Sequence, residues 1–386
     1  MDGLNLNYPV SRFNNVFPSI DLASVPPSAT HTGNRHDRWP YIQEWNLHVQ
    51  RELAKDLLLE VGYVANKGTK LSSFLSDNDP RPGPGSVGCP DVFNLLPAGT
   101  CGPNDNHPRP HRNIGPFSAN FMANNSRYQS LQTKVERRFS SGLTMNASYT
   151  WSHYIDLASD FSGEGPQDFY NRRIAYGNDD FDLRHNFVFS SLYQLPFGPA
   201  RKYLNIRGPA GKVLQGWDLE TIIRFHSGFP YGLGVDTDVA NVGARGNFQH
   251  PSLIPGKNPN AGPRTTDEWF NIYAFAKCND TAAFGPSAPT YCFGTVGRNT
   301  MIGPGFRNFD ISLHKTTKIN ERHSIQFRAE FFNAFNNVNF NNPAATFTDL
   351  VTDPLTHKTT FTNNVGQISS TANNAREIQF ALKYTF

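Results

Sequence analysis

Apolar and polar residues alternate along nine segments of the chain. A period of two residues is typical of a β-strand with one apolar face. The segments cover residues 41–53, 57–65, 127–139, 143–152, 184–195, 215–225, 309–314, 325–331 and 378–386. In the last segment the apolar side carries Ile378, Phe380, Leu382, Tyr384 and Phe386. The pattern therefore predicts an all-β protein with about nine strands.

The connections between these segments alternate between short and long. The short ones are 54–56, 140–142, 196–214 and 318–322, and the long ones are 66–126, 154–183, 228–305 and 336–375. Outer-membrane barrels have short periplasmic turns and long extracellular loops, and their strands need ~9–11 residues to cross the bilayer. The spacing therefore predicts part of an antiparallel transmembrane β-barrel with long extracellular loops, whose last strand ends in the periplasm.

Aromatic residues fall near both ends of the predicted strands, as the interfacial girdles of a barrel require. Phe139, Trp217, Tyr384 and Phe386 are expected at the periplasmic rim. Tyr63, Trp151, Phe225 and Phe331 are expected at the outer rim.

Nine strands leave an odd count, whereas single-chain bacterial barrels have an even number of strands and leave no open edge in lipid. The N-terminal sequence MDGLNLNYPV has no basic or apolar region of a signal peptide. We therefore expect upstream strands to be absent from this chain. Residues 1–40 are then the end of an extracellular loop, and residues 41–386 are the C-terminal portion of the barrel.

Composition agrees with a barrel and excludes two other classes. Only 38% of the 386 residues are hydrophobic and the mean hydropathy is −0.50. No run approaches the ~20 apolar residues of a membrane-spanning helix. The net charge is +3 with scattered Lys and Arg, which argues against a nucleic-acid binder.

The sequence shows no motif of a catalytic or cofactor site. The fragment Gly208-Pro-Ala-Gly-Lys212 lacks the spacing of a phosphate-binding loop. Two groups of polar residues near predicted strand ends could be metal ligands. They are His153, Asp156 and Asp160, and the acidic run Asp179, Asp180 and Asp182 before Arg184 and His185. Both are better interpreted as ordinary polar residues where a strand meets a loop. We therefore expect that the protein is not an enzyme and that it binds no cofactor or metal ion. The charges Glu220, Arg224, Arg328 and Glu330 are expected to pair across strands in the lumen.

Four cysteines form two local pairs, Cys89 with Cys101 and Cys278 with Cys292, in segments that read as loops. In an oxidising compartment each pair can close a loop as a disulfide. The alternative is four free thiols.

The terminal row from Ile378 to Phe386 resembles the C-terminal signal that the barrel assembly machinery recognises. Its alternative reading is simply a closing strand. The chain as a whole resembles the C-terminal barrel of TonB-dependent receptors, in the Oar-like branch with a carboxypeptidase-regulatory-like domain. The stretches that carry the resemblance begin at Trp39, Tyr128, Leu143, Asp182, Phe331 and Ile378.

This resemblance implies a barrel of 22 strands and energised uptake of a bulky ligand across the bacterial outer membrane. A plug domain would fill the barrel and TonB would pull on an N-terminal box, and neither element is in this sequence. The expected partners are outer-membrane lipid, the barrel assembly machinery, an unknown ligand and, through the N-terminal region, TonB. Two alternatives remain: a passive porin-like or adhesive barrel, and a secreted soluble β-domain that binds carbohydrate.

Overall fold

The computed structural model describes residues 38–76, 80–83, 118–159, 166–242 and 249–386. One antiparallel sheet dominates them, and its long strands follow one another in chain order. These strands are β1 (Tyr41–Ala54), β2 (Leu57–Ser76), β3 (Ser118–Ser140), β4 (Leu143–Asp156), β5 (His185–Gln194), β6 (Trp217–His226), β7 (Phe306–Lys318), β8 (Ser324–Phe332) and β9 (Glu377–Thr385). The predicted nine-strand antiparallel sheet is confirmed.

The register keeps the apolar residues on one face of the sheet. Tyr63 lies opposite Leu131, and Leu131 lies opposite Trp151. The other face, which we call the polar face, carries Gln132 opposite Thr150 at the neighbouring position. Because side chains alternate across a strand, one continuous register preserves both faces.

The short connections all lie at one end of the sheet, the turn end. One of them joins β3 to β4 through only two residues, Ser141 and Gly142, whose φ angles are 53° and 82°. Two positive φ angles match the twist of a two-residue hairpin. The connection between β5 and β6 contains a short helix, Pro209–Leu214. The fragment Gly208–Lys212, which lacks the spacing of a phosphate-binding loop, forms the N-cap and the N-terminal part of this helix.

The opposite end, the loop end, carries the long connections. The expected loop 66–126 is wrong in its bounds, because β2 continues to Ser76 and β3 begins at Ser118. These two strands project beyond their neighbours. Within the described residues no helix is long and apolar enough to span a membrane.

The connections at the loop end hold short elements of their own. The short strands are Gly177–Asn178, Pro230–Tyr231, Gly234–Val235, Ser252–Leu253, Phe275–Ala276, Met301–Ile302, Thr346–Phe347, Val351–Thr352 and Thr359–Thr360. The helical segments are Arg172–Ala175, Ile272–Ala274 and Thr281–Phe284.

Residues 227–242, 249–305 and 333–376 pack together around a shared apolar core. Phe270, Phe275 and Phe347 are fully buried in it. The strand Gly234–Val235 of the first connection pairs with Thr346–Phe347 of the second. The two connections therefore form one folded layer, which we call the loop layer.

Candidate functional site

A cavity of about 900 Å³ lies where the loop layer meets the ends of β6 and β7. Its floor is formed by His226, the last residue of β6, and Phe306, the first residue of β7. These two residues are register partners, and their rings stack with centroids 4.9 Å apart. Phe229 packs edge-on against His226 at 5.5 Å. Both floor residues lie on the polar face, because they alternate with Phe225 and Arg307 on the apolar face.

Glycines allow two segments to meet beside this floor. The strand Pro230–Tyr231 pairs with Met301–Ile302, and the amide of Gly303 donates to the carbonyl of Phe229 at 2.9 Å. A Cβ atom on Gly228 would collide with the carbonyl oxygen of Gly303. Only glycine fits this approach, which fixes one wall of the cavity.

Another wall depends on Gln167 and His250, which join different connections. Gln167 donates to the carbonyl of Gly294 at 2.9 Å and accepts from the amide of His250 at 3.0 Å. The Nδ1 atom of His250 lies 2.6 Å from the carbonyl oxygen of Val296. Burial lowers the pKa of His250, which favours the neutral ring. Since Nδ1 then donates, Nε2 is left as an acceptor.

Tyr231 also lines the cavity and has an unsatisfied polar atom. Its hydroxyl is buried and has no hydrogen-bond partner within the described part of the chain. Burial raises the pKa of this phenol, so the hydroxyl stays protonated. An unpaired buried hydroxyl costs ~1–3 kcal/mol.

Arg298 anchors the loop layer to β4. Its guanidinium lies 2.6 Å from Asp156 and 3.4 Å from Asp180, and it also contacts Ser159. Arg298 is 11% exposed and Asp156 is 2% exposed, so the pair is buried. Asn299 donates to Asp180 at 2.5 Å. These contacts hold the side of the cavity in place.

The residues that resembled metal ligands have other partners. His153 bonds to Asn178 at 3.1 Å, and Asp156 pairs with Arg298. Asp179 accepts from the amide of Phe181, and Asp182 accepts from the amide of Tyr154, both at 2.7 Å. Asp160 lies outside the described residues. No group of three or more potential ligands is arranged for a metal ion within the described ranges.

On the polar face of the sheet, the acids expected to pair across strands flank a histidine. His314 of β7 lies 3.3 Å from Glu220 and 3.9 Å from Glu330. Arg328 instead donates to Gln326 at 2.9 Å. The arrangement differs from the expected pairing because His314 occupies the strand between the two glutamates.

The structure places Cys278 and Cys292 in a disulfide, with Cα atoms 6.0 Å apart. Cys89 and Cys101 lie outside the described residues. The row of the proposed assembly signal, Ile378, Phe380, Leu382 and Tyr384, lies on the apolar face of the edge strand β9, and Phe386 follows it.

The cavity was missed by sequence reasoning because separate segments supply its walls. One signal was present. The long connections contain many large apolar residues, such as Phe270, Phe275 and Phe347. Solvated loops do not need such residues, so they indicate a packed layer.

Residues 3–379 match the family described as outer membrane beta barrel domain. The chain belongs to this family. The match confirms the expected outer-membrane barrel and its location. In such barrels the apolar face meets lipid, the polar face lines the lumen and the long loops are extracellular. The loop layer is therefore extracellular, and the cavity floor lies at the outer mouth of the lumen.

The chain is similar to two solved structures of outer-membrane proteins. The outer membrane transporter YddB from Escherichia coli is 10% identical, with a TM-score of 0.41, and the match covers 93% of this chain and 34% of that one. FpvA of P. aeruginosa bound to heterologous pyoverdines is 8% identical, with a TM-score of 0.35, covering 89% and 27%. This chain spans about a third or less of their length. No curated protein matches it.

Proposed function

We propose that this chain is the barrel part of a TonB-dependent receptor that takes up a bulky ligand across the outer membrane. The family places the chain in the outer membrane. The sequence stretches beginning at Trp39, Tyr128 and Phe331 support the receptor class. The plug, the TonB box and the remaining strands would come from elsewhere in the protein.

The loop cavity carries this proposal, because it lies at the lumen mouth. Its volume of about 900 Å³ falls within the ~300–1,000 Å³ of small-molecule sites. Aromatic rings of Phe229 and Phe306 offer stacking surfaces, and Asn341 and Asn342 offer amide groups. We propose that the ligand first binds here and then enters the lumen.

The test compares cells that produce the full-length receptor as wild type or as Phe306→Ala. Mass spectrometry of the medium identifies compounds that wild-type cells deplete. We expect Phe306→Ala to slow their depletion by about tenfold, equivalent to ~1.4 kcal/mol of lost binding. Tyr203→Ala is the matched control, since Tyr203 is an exposed aromatic residue at the turn end.

Energy coupling separates the proposal from a passive barrel. A protonophore should stop depletion if TonB drives uptake. Depletion that continues unchanged with the protonophore would favour the porin-like alternative. Equal depletion by wild type and Phe306→Ala would show that the ligand does not bind in the cavity before it enters the lumen.

We propose that the apolar row of β9, with Phe386, is the signal read by the assembly machinery. A lipid-facing edge strand needs the same residues, so the test must separate assembly from stability. Deleting Phe386 should reduce the rate at which heat-modifiable receptor appears, while the thermal stability of the assembled receptor stays unchanged. A loss of both would indicate a packing role only.

A further inference from the structure

Two basic residues lie side by side on the apolar face near the loop end. Lys67 of β2 and Arg127 of β3 are direct register partners. Both are exposed. Like charges directly opposite each other on a sheet are destabilising. An anion between or beside them would reverse this repulsion.

The connection after β4 adds two arginines on the same side. Leu157 and Ala175 pack against Phe121 and Phe169, which folds this connection onto β3. The fold brings Arg172 and Arg173 to a pocket of about 370 Å³. The pocket is also lined by Asn125, which lies two residues above Arg127 on the same face of β3.

Aromatic residues complete the pocket. Tyr176 lines it; burial raises the pKa of the Tyr176 hydroxyl, and the charge of Arg127 acts in the opposite direction. The guanidinium of Arg81 lies 4.1 Å from the ring centroid of Tyr170, which also lines the pocket. We call the cations Lys67, Arg81, Arg127, Arg172 and Arg173 the basic ledge.

Within the described ranges, no residue of the basic ledge forms an ion pair with a carboxylate. Arg127 instead donates to the side-chain amide oxygen of Gln129. By contrast, Arg184 and Arg298 pair with aspartates nearby. The ledge therefore concentrates positive charge that this part of the protein does not neutralise.

The position of the ledge relative to the membrane indicates its partner. The aromatic row at Tyr63 and Trp151 marks the outer interface. Lys67 lies four residues beyond Tyr63, which is ~13 Å along the strand and ~10 Å along the membrane normal at a tilt near 40°. Long basic side chains at this height face the headgroups of the outer leaflet.

We infer that the basic ledge binds the phosphate groups of a phosphorylated glycolipid in the outer leaflet. Arginine donates paired hydrogen bonds to phosphate, and these bonds are strong because both partners are charged. The glycolipid's acyl chains would lie against the apolar face below the ledge. This site is separate from the cavity at the lumen mouth and does not depend on the transported ligand.

The test uses the full-length receptor purified in mild detergent and the variant R172Q/R173Q. The probes are fluorescent bisphosphorylated lipid A and the same lipid without phosphates. We expect the variant to bind the phosphorylated probe about tenfold more weakly. The control R201Q/K202Q removes the same charge from exposed residues at the turn end and should bind as wild type. R172K/R173K should recover part of the affinity.

Heat-modifiable gel mobility verifies that each variant is folded. Equal binding of the phosphorylated probe by wild type and R172Q/R173Q would overturn the inference. So would equal binding of the two lipid probes by the wild type. Inorganic phosphate that displaces the lipid at equal concentration would show a site for a soluble anion instead of a lipid.

Discussion

Arg298 shows how one residue can organise the extracellular side of this barrel. It comes from the long connection between β6 and β7, yet its guanidinium lies 2.6 Å from Asp156 at the end of β4. Both side chains are almost fully buried. Removing one member of a buried pair leaves an uncompensated charge, which is far costlier than losing an exposed pair.

Arg298→Met should therefore lower the free energy of opening of the loop layer by ~3–5 kcal/mol. Hydrogen exchange of the amides in residues 166–184 and 296–304 measures this opening. Arg184→Met is the matched control. Arg184 is 40% exposed and lies 3.4 Å from the buried Asp182, which also accepts from the amide of Tyr154 at 2.7 Å, so the loss of Arg184 should cost less than the loss of Arg298.

The double variant D156N/R298M tests the reason for the loss. Removing both charges should restore part of the protection, because no unpaired buried charge remains. Identical exchange in Arg298→Met and Arg184→Met would show that the Arg298 contact does not hold the layer.

The long strands could be predicted from the sequence because lipid and lumen impose opposite demands on alternate residues. That constraint is absent beyond the membrane. In the upper part of β2, residues such as Asn66, Gly68 and Thr69 do not alternate, since both faces meet water or other loops. The projection of β2 and β3 was therefore missed, although their membrane-spanning parts were found.

The loop layer could not be predicted from alternation either. Its core combines Tyr231, Phe270 and Phe347 from distant positions, and its paired strands are only two residues long. Such strands depend on tertiary contacts, so local patterns do not reveal them. The cavity that these segments enclose was unpredictable for the same reason.

The disulfide between Cys278 and Cys292 is expected to stabilise one element of this layer. It spans the helix Thr281–Phe284, whose N-cap residue Asp280 also accepts from the amide of Thr352 at 2.9 Å. Closing a loop of this length contributes ~3 kcal/mol in the chain-entropy description.

Cys278→Ser or a reducing agent should therefore increase cleavage within residues 277–292 by an added protease. The strands should keep their protection, because the bridge lies outside the sheet. Reducing agent should have no further effect on Cys278→Ser. Equal cleavage of the oxidised and reduced wild type would mean that the bridge does not support this segment.

At the scale of the molecule, strand direction limits how the barrel can close. Strands β1 and β9 form the two edges of the described sheet. Because an even number of hairpins separates them, both run from the loop end to the turn end. They cannot pair with each other in an antiparallel barrel. An odd number of further strands is needed between them, since an open edge in lipid leaves backbone groups unsatisfied.

The proposed partial barrel therefore predicts different fates for two products in cells. Residues 1–386 behind an export signal should be degraded or aggregate, while the longer receptor should give a heat-modifiable band in the outer membrane. Immunoblots of unheated and heated membranes measure both. A heat-modifiable band from residues 1–386 alone would contradict the prediction.

Two copies of this chain could not close an antiparallel barrel by pairing β9 of one with β1 of the other, because those edges run in the same direction. Closure through like edges would give antiparallel neighbours only if one copy were inverted in the membrane, which would place its long loops in the periplasm. Strand direction therefore means that a closed antiparallel barrel needs further strands between β9 and β1, and that a second copy of this sheet in the same orientation cannot supply them.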